Sequence, residues 1–75
     1  MFNNTVELNK KIRMQIGHEL WLARQEKHLY IYQVAKHSRV PIDLIDIMEL
    51  GKAIDVTALK KLLKFYGKQI KICFK

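Results

Sequence analysis

With 75 residues the chain lies near the lower size at which a single domain folds unaided, because small chains bury a smaller share of their surface. Apolar residues make up 49%, and 14 Lys and Arg against 7 Asp and Glu give a net charge of +7, a balance that attracts polyanions in a salt-dependent way. The single cysteine, Cys73, excludes an internal disulfide framework; MFNNTVELNKK lacks the basic-then-apolar order of a secretory signal, and no apolar run nears the ~18 residues of a membrane span. One cytoplasmic domain without membrane contact is expected.

Asn4 followed three residues later by Glu7 has the form of a capping box. Leu8, Ile12, Ile16, Leu20 and Ala23 then keep the 3-to-4 spacing of one helical face, which predicts a long first helix over 5–27. Gly17 is its weak point, where it would bend or restart. A short second helix over 29–37 buries Val34 and Ala35, and Ser38 and Arg39 form a tight connection. Pro41 suits the first turn of a third helix over 41–50, where its missing N–H is no loss, and Gly51 stops it. Asp55 is a good N-cap for a fourth helix over 56–66, in which Val56, Leu59, Leu62, Leu63 and Tyr66 share a face before Gly67.

QIKICFK, residues 69–75, changes period: Ile70, Ile72 and Phe74 alternate with Gln69, Lys71, Cys73 and Lys75, as in a half-buried strand over 69–74. A lone strand leaves backbone donors and acceptors unpaired, and a twofold-related copy is the simplest mate, so a homodimer is predicted. A frayed tail or a fifth helix is the other way to read the same residues. No repeat or low-complexity tract divides the chain.

The order long helix, short helix, tight turn, short helix, fourth helix resembles the Cro/XRE, lambda repressor-like helix-turn-helix family over roughly residues 16–66. Leu20, Ala23 and Arg24 carry the likeness on the first helix, followed by Leu29, Val34 and Ala35, then Val40, Ile45 and Met48, and Glu49-Leu50-Gly51-Lys52. The resemblance implies an all-α helix-turn-helix bundle of four main helices, to which the tail adds a short C-terminal β-strand paired across a dimer. It also implies a structural ion pair between Arg24 and Glu49. Arg39 departs from the pattern, standing where the turn usually has a glycine in the left-handed conformation, a state that costs other residues roughly 1–2 kcal/mol. Ser38-Arg39-Val40 is instead similar to the turn of the RodZ-type cytoplasmic domain, which docks on a cytoskeletal filament; that similarity fails after Gly51. LKKLLKFYGKQIKICFK is similar to the end of HipB-type antitoxins, small dimeric repressors whose C-terminal strands pair across the dimer axis.

In a third helix held to the bundle by Val40, Ile45 and Met48, the groove-facing residues are Pro41, Ile42, Asp43, Asp46 and Ile47, with Leu44 near the edge. None offers the Arg or Lys contact to guanine, or the Asn or Gln contact to adenine, that discriminates bases strongly. At ~6 Å from a phosphate and an effective dielectric of ~20–40, each acid costs roughly 1–3 kcal/mol before screening. Cytosine amino groups could satisfy the acids, and thymine methyls could lie against Ile42 or Ile47. Tyr30, Tyr32, Lys36, His37, Arg39 and Lys52 are the candidate phosphate contacts. Lys60, Lys61, Lys64 and Lys68 on the fourth helix read first as a solvated face.

Two functions fit. One is a homodimeric transcription regulator on double-stranded DNA, a repressor or antitoxin-like protein. The other is a protein-interaction module on the same fold, in which Ile42, Leu44 and Ile47 dock on a toxin or other protein and the acids steer a basic partner. Trp21 and Leu22 occupy positions usually polar in the family; either they pack beneath the N-terminal extension, or with Phe2 and Val6 they make an apolar contact surface. Cys73 serves as a small apolar side chain, or approaches its copy if the strands pair near the axis. His18, His28 and His37 lack metal-ligand spacing, and no nucleophile or phosphate loop accompanies Asp43 and Asp46, so no metal, cofactor or enzymatic activity is expected.

Overall fold

A computed structural model describes residues 9–68, in which four helices follow one another: α1 Lys10–Glu26, α2 Ile31–Ser38, α3 Ile42–Glu49 and α4 Val56–Tyr66. The protein is all-α over these residues, with no strand among them. The strand expected from Ile70, Ile72 and Phe74, and the capping box of Asn4 and Glu7, lie outside the described residues. No described helix is long and apolar enough to cross a membrane.

Helix α1 begins at Lys10 and not at residue 5. Asn9 is extended (φ −66°, ψ 160°) and its Oδ1 accepts from the Ile12 N–H at 2.9 Å, so this side chain supplies the acceptor that a first-turn N–H lacks within the helix and fixes the start. Residues 29 and 30 are likewise outside α2: Tyr30 is its extended N-cap, and the Gln33 side chain accepts from the Tyr30 N–H at 2.8 Å. Pro41 precedes α3 as its N-cap (φ −57°, ψ 142°), its carbonyl accepting from the N–H groups of Leu44 and Ile45 at 3.1 Å. Asp55 caps α4 by accepting from the Ala58 N–H at 2.9 Å.

Helix α1 runs through its weak point, Gly17, as one continuous helix without restarting. Gly17 is the point where α1 crosses the end of α3. A Cβ atom at this position would collide with the carbonyl oxygens of Met48 and Glu49, the latter at 2.7 Å. Gly51 answers from the other side: its φ is +74°, and a Cβ there would stand 2.8 Å from the Met14 Cα. The Arg13 Nε–H also donates to the Gly51 carbonyl at 3.2 Å. Two glycines thus let α1 lie directly on the backbone that ends α3.

The core gathers Ile16, Leu20 and Ala23 from α1, Val34 from α2, and Ile45 and Met48 from α3, with Ala58, Leu59, Leu62 and Tyr66 from α4. Val40 in the α2–α3 turn and Ile54 in the α3–α4 connection complete it. Fully burying a side chain such as Ile45 contributes about 1.5–3 kcal/mol, and the outward set on α3 follows from that anchoring.

Candidate functional site

The connection from α2 to α3 turns on one residue. Arg39 has φ 64° and ψ 30°, the left-handed conformation, and its N–H donates to the Ala35 carbonyl at 3.0 Å. Ser38 Oγ accepts from the Val40 N–H at 3.3 Å. Val40 is thereby driven into the core at 2% exposure, and α3 starts in a new direction two residues later.

Because Ile45 and Met48 point inward on α3, Pro41, Ile42, Asp43, Asp46 and Ile47 are all exposed, and Leu44 is partly buried at the core's edge. Ile42 is 43% and Ile47 37% exposed. Leu50, at 56%, and Met14, at 51%, add apolar surface that the helical period does not mark as functional. Met14 lies near the end of α3, where its Cα packs against Gly51. The carboxylates of Asp43 and Asp46 take part in no hydrogen bond or ion pair among the described residues. Asp43 lies in the first turn of α3, where the helix dipole favours a negative charge.

Exposed basic and aromatic residues come before and after this face in the chain. Lys36, Arg39 and Lys52 are exposed. Tyr30 and Tyr32, 68% and 58% exposed, stack with ring centroids 5.7 Å apart. His37 is held differently: its ring lies parallel to Phe65 of α4 at 6.4 Å, which ties α2 to α4.

The orientation of α3 is set at its far end by Arg24 and Glu49. Arg24 Nε and Nη2 donate to Glu49 Oε2 and Oε1 at 2.8 and 2.9 Å, and Nη1 donates to the Leu29 carbonyl at 3.1 Å. One guanidinium therefore joins α1, the α1–α2 loop and the end of α3. The hydrogen bond to Glu49 raises the Arg24 pKa further, against the opposing effect of burial. Such a two-point contact fixes direction as well as distance.

No group of three His, Cys, Asp or Glu side chains suited to a metal ion occurs among the described residues. No protein-family model, curated protein or solved structure matches this chain. What the site can do follows from its own chemistry: an exposed helix face with two unpaired acids and apolar side chains, accompanied by exposed cations.

Proposed function

We propose that the chain is a homodimeric helix-turn-helix DNA-binding transcription regulator of the Cro/XRE, lambda repressor-like type, a repressor or antitoxin-like protein working in the cytoplasm. In this proposal α3 enters the major groove of double-stranded DNA. The observation that carries it is the left-handed Arg39 turn, which leaves the outer face of α3 uncovered between α2 and the exposed Lys52. Lys36, Arg39 and Lys52, with the hydroxyls of Tyr30 and Tyr32, supply phosphate contacts, and residues 41–43, 46 and 47 face the bases. Residues 69–74 pair as a strand across the dimer axis.

About six Lys and Arg contacts per dimer would give a salt slope near −5 and roughly 10³-fold loss of affinity between 50 and 200 mM salt. Asp43 and Asp46 work against this attraction, so the native complex is weaker than the net charge suggests. Titration of mixed duplex fragments at two salt concentrations tests the proposal. It predicts measurable binding, that steep salt dependence, and a preferred sequence in a selection experiment.

A second reading is favoured by Ile42, Ile47, Leu50 and the unpaired acids: a protein-docking module of the RodZ-like or toxin-binding kind that does not read DNA. Duplex binding that is absent at low salt in the native chain, but appears when both Asp43→Asn and Asp46→Asn are introduced, would select it.

A further inference from the structure

Helices α1 and α4 leave between them a cleft of about 240 Å³ lined by Leu20, Leu22, Ala23, Leu63 and Tyr66, with Glu19, Glu26 and Lys68 also on its walls. Three features make it unlike a casual surface dent. Leu22 is 38% exposed on the same wall as the buried Leu20 and Ala23. The Tyr66 side chain is 4% exposed, yet its hydroxyl has no hydrogen-bond partner among the described residues, although buried polar groups are nearly always satisfied. The cleft's acids, Glu19 and Glu26, also sit on a strongly basic chain.

We infer that the cleft is the seat of this chain's own residues 69–75, whose apolar Ile70, Ile72 and Phe74 cover Leu22 and Leu63 while Lys71 and Lys75 meet Glu19 and Glu26. The chain leaves α4 at the cleft itself. Gly67 (φ 68°) turns it back, and Lys68 Nζ reaches across to Glu26 Oε1 at 2.9 Å. Seven extended residues reach ~23 Å, whereas the α1 wall from Glu19 to Glu26 is only ~10 Å long. The segment carries lysines and no acid, opposite in sign to the wall it would cross. An extended backbone there would also bring carbonyl groups to the Tyr66 hydroxyl. Asn9, where residues 1–8 join the described chain, is separated from Glu19 by ten residues of helix, ~15 Å. Direct tethering at the rim gives residues 69–75 a higher effective concentration than any separate occupant.

The alternating pattern in residues 69–75 also underlies the proposed dimer strand, but the inference needs neither dimerisation nor DNA binding. With its apolar side on the cleft, the segment keeps a backbone edge free for a second copy.

The sole cysteine, Cys73, permits a test on the full chain. A nitroxide attached there should strip most of the intensity from the amide signals of Leu22, Ala23 and Leu63. Reduction of the nitroxide should restore them, and Asp43 and Asp46 should remain unaffected. Adding an excess of isotope-free chain without nitroxide should leave the loss unchanged. Undiminished cleft signals would overturn the inference. So would a loss that disappears in the mixed sample, because the occupant would then be another copy. Failure of duplex binding would leave this experiment's outcome unaltered.

Discussion

Gly17→Ala sets two effects of opposite sign against each other. Alanine in place of glycine inside an exposed helix contributes about 1 kcal/mol of stability through backbone entropy. At Gly17 the new methyl would meet the carbonyl oxygens of Met48 and Glu49, with 2.7 Å to the second. Those are backbone atoms of a helix already fixed by Ile45 and Met48, so no flexible side chain can yield. Overpacking of this kind costs typically 1–3 kcal/mol, and retreat of the Glu49 backbone also strains the two-point contact with Arg24. We expect a net loss of about 1–2 kcal/mol, which for a domain of this size lowers Tm by roughly 5–15 °C. Thermal unfolding by circular dichroism, at one fixed protein concentration so that any self-association acts equally on both proteins, reads this directly. A variant as stable as the native chain, or more so, would show that α1 and α3 do not approach backbone to backbone.

Arg24→Ala leaves the Glu49 carboxylate, 7% exposed, without its partner, and should cost about 2–4 kcal/mol; in a double-mutant cycle by urea unfolding, adding Glu49→Ala should cost far less than it does alone. Arg39→Gly relieves a left-handed arginine and should stabilise the chain by about 0.5–1 kcal/mol after the added chain entropy of glycine, while weakening duplex binding in the same titration. Burial pushes the Tyr66 hydroxyl up to about 12. Its neutral form is thus favoured in the fold, so its contribution is intact below pH ~10 and lost as pH rises from about 10 to 12, by up to about 2–3 kcal/mol. Tyr66→Phe should remove that alkaline loss relative to the native chain in urea unfolding across this range; an unchanged pH profile would contradict the burial of the hydroxyl.

The helical faces were legible because each follows a repeat that needs no tertiary information. Leu20 with Ala23, Ile45 with Met48, and Leu59 with Leu62 mark their buried sides, and the outward position of Ile42, Asp43, Asp46 and Ile47 follows by subtraction. Less legible was the start of α1. Asn4 with Glu7 has the reciprocal pattern of a capping box, whereas Asn9 is followed three residues on by Ile12, so Asn9 caps alone and carries no second signal. Gly17 was readable only as a weak helical residue, since its reason for being glycine lies in the carbonyls of α3, 31 and 32 positions away along the chain. Ile54 stands between Ala53 and Asp55 in a connection without a period, yet it is 1% exposed. Leu50 and Met14 fall outside the repeats that mark the buried sides, and both are exposed; that the Met14 backbone lies against Gly51 is a long-range contact no local repeat records.

The central claim is that the outer face of α3, with its basic flanks, is the surface that meets DNA. Amide shift mapping of the full chain against a selected duplex at low salt tests it most directly. The account predicts that the largest changes fall on Ile42, Asp43, Asp46 and Ile47, with Lys36, Arg39 and Lys52 beside them. Changes confined to Lys60, Lys61 and Lys64 of α4, with α3 unmoved, would contradict it.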